Sequence, residues 1–137
     1  MKKPAQKEVP YRNLSPHGWW LASYIMRFEW KADAPVQLNQ PCLAWENTIL
    51  IKARDRELAY QKAINQRKDF SVKWEPYGPT ERKRPGRWVF EGLTSLLPIY
   101  EKLEDGAEIS WRVHSRKRVR TIRSYLKPKR QLETFID

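Results

Sequence analysis

The run from Trp19 to Trp30, which reads WWLASYIMRFEW, is the feature that most constrains the fold. Every second residue from Trp20 onward is apolar or aromatic, and the intervening positions become polar at Arg27 and Glu29. This alternation, with its high aromatic content, predicts a long β-strand. Because the first half of the run is apolar on both faces, we expect this strand to lie in the centre of a sheet.

Four further segments show strand patterns, at residues 42–52, 70–75, 87–93 and 107–114. Proline-rich stretches at 31–41 and 76–87 predict loops between them, and residues 94–103 predict a short helical turn interrupted by Pro98. Strands joined by such short connections favour antiparallel pairing. The spacing therefore predicts a mostly antiparallel sheet of about five strands.

Residues 55–68, DRELAYQKAINQRK, carry the clearest helical pattern in the chain. Asp55 is a suitable N-cap, and Ala59 and Ala63 fall on one apolar side together with their neighbours Tyr60 and Ile64. We expect this side to pack on one face of the sheet. The fold class predicted from the sequence is α+β, with one main helix and, at the C-terminus, a second, basic helix.

Positive charge is concentrated at the two ends of the chain, which carries a net charge of +11 over 137 residues. Residues 1–18 hold Lys2, Lys3 and Lys7, whereas the middle of the chain is close to neutral. We therefore predict a basic flexible arm at 1–18, an α+β domain at 19–114 and a basic extension at 115–137. Without an apolar leader or a long apolar run, we expect a soluble, cytoplasmic protein that does not bind membranes.

Several segments together resemble a small bacterial domain family of unknown function, number 4288 of that series. The run Trp45–Ala53, WENTILIKA, leads into the helix with Ala59 and Ala63 and carries most of the likeness. The Trp19-Trp20 strand, the FEGL segment at 90–93 and LEDGAEI at 103–109 add to it. The resemblance extends over about residues 19–112. It implies a shared fold unit but no activity and no site residues.

Residue types that support catalysis or metal binding are sparse and scattered. Cys42 is the only cysteine and begins an apolar run, so we expect a small core residue. His17 and His114 lack the spacing of zinc ligands, and no phosphate-binding glycine loop is present. Glu29 and Glu46 fall within strands and could meet across the sheet, where paired carboxylates can carry out acid–base chemistry. A strand carboxylate more often pairs with a base such as Arg27. The sequence predicts no enzyme, no cofactor and no metal.

The C-terminal run from Ser115 to Arg130, SRKRVRTIRSYLKPKR, is half lysine or arginine. Val119, Ile122 and Leu126 fall at helical spacing, which is typical of a basic amphipathic helix. Three interpretations remain open. The apolar stripe docks on the sheet and the charges face solvent, or the arginines bind nucleic-acid phosphates, or the segment binds an acidic protein or membrane surface.

We therefore expect a non-enzymatic module that contacts a polyanion, RNA or DNA, through the C-terminal segment and the loop at 82–87. The alternative is a protein-interaction domain, either an accessory subunit of a larger complex or an immunity-type inhibitor that binds an acidic protein surface. The predicted binding residues are Arg82, Lys83, Arg84, Arg87, Arg116, Lys117, Arg118, Arg120 and Arg123.

Overall fold

The computed structural model describes residues 8–68 and 73–137. Within these ranges four strands form one antiparallel sheet, with spatial order β2-β1-β4-β3. The strands are β1 (Trp19–Trp30), β2 (Leu43–Lys52), β3 (Glu75–Tyr77) and β4 (Arg84–Pro98). The main helix, α1, spans Arg56–Arg67, and a six-residue helix, α2, spans Val119–Ser124. The chain therefore has the predicted α+β class, with four strands instead of five.

Strand β1 is central because it pairs along nearly its whole length on both sides. Its pairing with β2 runs without a register shift from Trp19 opposite Lys52 to Phe28 opposite Leu43. Its pairing with β4 shifts twice, between Ser23 and Tyr24 and again between Ile25 and Met26. Each shift corresponds to an additional residue on β4, as in a β-bulge.

Helix α1 packs on the sheet through its two smallest apolar residues. Ala59 and Ala63 are fully buried against Trp20, Ala22 and Ile51. Their small side chains let the helix lie close to the strands, and the spacing of four puts both on one helix face. The helix begins as the sequence predicts, because the Asp55 carboxylate accepts a 2.8 Å hydrogen bond from the Leu58 amide.

The segment that precedes β1 is tied to the sheet. The Ser15 hydroxyl lies 2.6 Å from the Trp19 carbonyl oxygen and 3.0 Å from that of Ile99. The Lys52 ammonium donates a 2.9 Å hydrogen bond to the carbonyl of His17. The predicted contributions of Lys2, Lys3 and Lys7 lie outside the described residues.

Two of the predicted elements are wrong in the region after residue 87. Residues 94–98 continue β4 to Pro98 instead of forming a helical turn, because the bulges let the strand follow β1 to its beginning. Residues 107–114 alternate in sequence but form no strand. Alternation shows only that one side of a segment is apolar and does not show that the segment pairs with a strand. Here the Trp111 ring packs on the Tyr100 ring, with centroids 5.5 Å apart.

The region from 70 to 87 also differs from the prediction. The strand predicted at 70–75 overlaps residues outside the described ranges, and β3 begins at its last residue, Glu75. The predicted loop at 76–87 shortens to a turn, because β3 and β4 extend into it from both sides. Cys42 is exposed and not a core residue, since it lies in the loop that leads into the edge strand β2.

The predicted basic amphipathic helix over 115–130 is not formed as expected. In this range the α-helix is limited to Val119–Ser124, and Val119 and Leu126 are 65% and 74% exposed, so the apolar stripe does not dock on the sheet. The N-cap, Arg118, makes no capping hydrogen bond, and short helices without packing gain little stability. No helix in the described ranges has the length and apolar character needed to cross a bilayer.

We predict that Trp20→Phe lowers the free energy of unfolding by about 1–3 kcal/mol, measured by urea denaturation. The Trp20 indole is buried and donates a 2.9 Å hydrogen bond to the Ala53 carbonyl, which the substitution leaves buried without its donor. The matched control is Trp111→Phe, where the indole is exposed and the cost stays within about 0.5 kcal/mol. Equal costs at both positions would contradict the assigned core.

Candidate polyanion-binding surface

Four charged side chains of β1 and β4 form ion pairs with one another. Glu29 is buried and accepts hydrogen bonds from Arg87, at 2.7 Å, and from Arg27, at 3.2 Å. Arg27 also pairs with Glu91 at 2.7 Å. Arg87 lies directly opposite Glu29 in the β1–β4 ladder, so the sheet register brings this pair together. These four groups form what we term the ladder network.

The two arginines determine the ionisation of Glu29. Burial alone raises the pKa of this carboxyl group, but hydrogen bonds and charge from Arg87 and Arg27 outweigh burial. The pKa of Glu29 therefore lies below its ordinary value of 4.5. Its ionised form stabilises the fold at neutral pH, and that contribution is lost as the pH falls through the lowered pKa.

The predicted basic loop at 82–87 divides into two parts. The guanidinium of Arg84 lies 4.1 Å from the centre of the Trp30 ring, and that of Arg87 lies 4.1 Å from the centre of the Trp74 ring. Arg87 is thus held by both Glu29 and an aromatic face. Arg82 and Lys83 lie in the turn before β4, where both are exposed. In the described ranges neither forms an ion pair.

The C-terminal segment carries its charge differently. All of its predicted binding residues are exposed, and none forms an ion pair with any described residue. These five cations are Arg116, Lys117, Arg118, Arg120 and Arg123, which we term the tail cluster. The ion pair nearest to the tail cluster in sequence joins Lys127 to Glu133, at 3.1 Å.

Aromatic rings accompany the tail cluster, and the sequence analysis did not identify them as part of the site. The rings of His114 and Tyr125 lie 5.2 Å apart at an interplanar angle of 34°, on either side of the cluster in sequence. Both residues are exposed, as is Trp111 just before them. His114 and Tyr125 are eleven positions apart in the sequence, so no local pattern could predict their contact.

The tail cluster and the turn at 82–83 do not contact each other through polar interactions in the described chain. No hydrogen bond or ion pair joins residues 82–87 to residues 115–130 in the described part of the chain. The structure thus provides two basic surfaces, and the cations of the tail cluster have no ion-pair partner among the described residues.

One cavity of the described chain brings charged side chains together. A cavity of about 820 Å³ beside the loop before β2 is lined by Glu29, Glu91 and Arg27, but these already belong to the ladder network. Glu29 and Glu46 do not meet, because Glu46 lies opposite Ile25 in the β1–β2 ladder. Among the described residues no group of histidine, cysteine and carboxylate side chains is arranged to hold a metal ion.

Comparison with known protein families gives a match over most of the chain. The family model described as Domain of unknown function (DUF4288) matches residues 19–111. The chain belongs to this family. The DUF4288 match agrees with the predicted resemblance and covers the whole sheet and α1, but it ends before the tail cluster. No curated protein and no solved structure matched the chain.

We predict that Glu29→Gln lowers the free energy of unfolding at pH 7 by on the order of 3 kcal/mol, because it leaves Arg27 and Arg87 without their shared anion. The difference from the unsubstituted protein should shrink as the pH falls below about 4.5, where Glu29 of the unfolded chain takes up a proton, and should be lost below the lowered pKa of Glu29 in the folded protein. Urea denaturation between pH 7 and pH 3 measures both effects.

The control is Glu91→Gln, which removes a partly exposed carboxylate from the same network and should cost less than about 1 kcal/mol. A difference between Glu29→Gln and the unsubstituted protein that does not change with pH would contradict the ionised state assigned to Glu29.

Proposed function

We propose that this protein is a non-enzymatic binding module that contacts RNA or DNA through the tail cluster. One observation carries the proposal: five exposed cations lie within eight residues and have no ion-pair partner in the described chain. Like charges at this density repel one another, so the free protein gains from any ligand that neutralises them. A phosphate backbone does so at regular spacing and releases its own counterions on binding.

The residue types favour phosphate over a diffuse anionic surface. Arginine outnumbers lysine four to one in the tail cluster. A guanidinium presents paired donors that match the oxygens of a phosphate, whereas an ammonium acts as a point charge. We therefore assign phosphate contacts to Arg116, Arg118, Arg120 and Arg123, with Lys117 adding charge.

The neighbouring aromatic rings favour a single-stranded ligand. Proteins that bind single strands combine a basic path with rings on which unpaired bases stack. Tyr125 and His114 are in contact beside the cations, and both have exposed surface. Binding by charge and stacking does not depend on base identity, so we expect little sequence preference.

The turn at 82–83 provides a second, weaker contact surface. Arg82 and Lys83 are exposed, and Arg84 presents one side of its guanidinium while the other lies against Trp30. Arg87 is engaged with Glu29. Removing Arg87 is therefore expected to reduce stability first, and its part in ligand binding is the smallest of the four.

An acidic protein surface is the second candidate, and one observation favours it. Trp45 is 59% exposed on the outermost strand, and large aromatic side chains are frequent anchors of protein interfaces. A protein partner would depend on such apolar contact, so its affinity would persist at high salt. Nucleic acid bound through the tail cluster would dissociate instead.

We predict that a short mixed-sequence single-stranded RNA or DNA binds the protein and that its affinity falls about 100-fold between about 50 and 200 mM salt. Replacing the five residues of the tail cluster by glutamine should abolish most of the affinity at low salt. It should also reduce the slope of log K against log salt by about 3.5, since each lost phosphate contact removes about 0.7. Fluorescence anisotropy of a labelled strand measures both quantities.

The matched control replaces five exposed cations of the folded domain by glutamine: Lys31, Arg54, Arg56, Lys68 and Lys102. Both variants lose the same charge from a net charge of +11, so the control separates a local site from overall attraction. Equal loss in the two variants would contradict a site at the tail cluster. Binding that survives in the tail variant would overturn the proposal.

A further inference from the structure

The two edges of the sheet differ in how they are protected against pairing with another chain. On one side, the edge strand β3 has three residues and contains Pro76, and β4 next to it carries the two bulges. Short strands, prolines and bulges all hinder the addition of a further strand. On the other side, β2 has ten residues, no proline and an unbroken register with β1.

The side chains of the β2 edge are also unprotected. Leu43, Trp45 and Leu50 are exposed, and between Leu43 and Ile51 the strand carries a single charge, Glu46. Edge strands of stable monomers usually present lysine or a similar charge at these positions. The chain has a net charge of +11, so an edge strand with so little charge and three exposed apolar side chains is typical of an interaction surface.

The backbone geometry identifies which groups of β2 are free. The Ala53 amide donates to the Gly18 carbonyl at 2.8 Å, which continues the β1–β2 ladder. Alternate residues of a strand direct both backbone groups to the same side, so the residues in phase with Ala53 bond to β1. The residues out of phase direct their amide and carbonyl groups outward: Ala44, Glu46, Thr48, Leu50 and Lys52.

The outward groups from Ala44 to Leu50 have no partner in the described chain. The series ends at Lys52, whose carbonyl accepts a hydrogen bond from the Lys62 ammonium of α1. Four residues thus offer a continuous set of amides and carbonyls. Their midpoint is Asn47.

We propose that β2 pairs antiparallel with β2 of a second copy of this chain, across a two-fold axis at Asn47. In this register Ala44 lies opposite Leu50 of the second copy and Glu46 lies opposite Thr48. Every outward amide and carbonyl from Ala44 to Leu50 then has a partner. The two four-stranded sheets become one continuous sheet, with the same surface used by both copies, as a two-fold axis requires.

Charge disfavours the neighbouring register that is centred on Glu46. Facing residues must share a face of the sheet, so the axis passes through a residue, and shifting it to Glu46 would place two carboxylates directly opposite. With the axis at Asn47, Trp45 faces Ile49 of the second copy, an aromatic and β-branched pair of the kind that stabilises sheets. A second copy fits because the strand is complementary to itself.

Because each copy contributes one strand edge, we expect a concentration-dependent assembly. In sedimentation experiments the average mass should rise from one towards two 16.5 kDa chains as concentration increases. Salt should leave this association unchanged or strengthen it, because it screens repulsion between two basic chains. Salt weakens nucleic-acid binding, so the two properties separate in the same buffers.

Disulfide trapping in full-length protein tests the register directly, in a Cys42→Ser background. Asn47→Cys places two cysteines opposite each other, within the separation that a disulfide spans, and should yield mostly cross-linked dimer under mild oxidation. The matched controls, Glu46→Cys and Thr48→Cys, each lie two residues out of register with their own copies. They should cross-link at least about tenfold less on non-reducing gels.

Equal cross-linking of all three variants, or none with Asn47→Cys, would overturn the proposal, as would an unsubstituted chain that stays monomeric at every concentration. Leu50→Lys adds a second check, because it places a charge on the edge without touching the core. It should remove the dimer while circular dichroism remains that of the folded protein. A dimer that persists in Leu50→Lys would show that another surface is used.

Discussion

The two-sided pairing of β1 is the constraint on which the rest of the structure depends. Because β2 and β4 both bond to this strand, its even-numbered residues form one continuous face, and Trp20 and Ala22 at its beginning receive α1. The same pairing brings Arg87 opposite Glu29, so the buried carboxylate is neutralised by the register itself. It also makes β2 an edge strand, which leaves the outward backbone groups of Ala44, Glu46, Thr48 and Leu50 without a partner in the described chain.

The sheet and the tail cluster differ in whether their charged side chains form ion pairs. In the sheet, two carboxylates and two guanidiniums pair with one another in the ladder network. Beyond Trp111, where the DUF4288 match ends, five cations of the tail cluster have no ion-pair partner among the described residues. Fold stability therefore depends on Glu29, Arg27 and Arg87, whereas the proposed binding depends on residues whose removal should leave the sheet intact.

Sequence patterns predicted the elements whose signals are local. The alternation of β1 and β2, the Asp55 cap and the paired alanines of α1 all depend on residues within one or two turns or strand repeats. The missed features depend on partners far away in sequence. Bulges let β4 continue past residue 93. In the part of the chain that the structure describes, residues 107–114 pair with no strand, and Val119 and Leu126 remain exposed. The contact of His114 with Tyr125 likewise had no sequence signal.

The central claim is that the tail cluster, and not the folded sheet, binds the polyanion. A nuclear magnetic resonance titration of the isotope-labelled full-length chain with a short single-stranded RNA tests this most directly, because it reports on each backbone amide separately. We expect chemical-shift changes concentrated between Trp111 and Tyr125, with smaller ones at Arg82 and Lys83 and little change in β1. Shifts centred on β2 or on the cavity beside Glu29, with the tail unchanged, would contradict it.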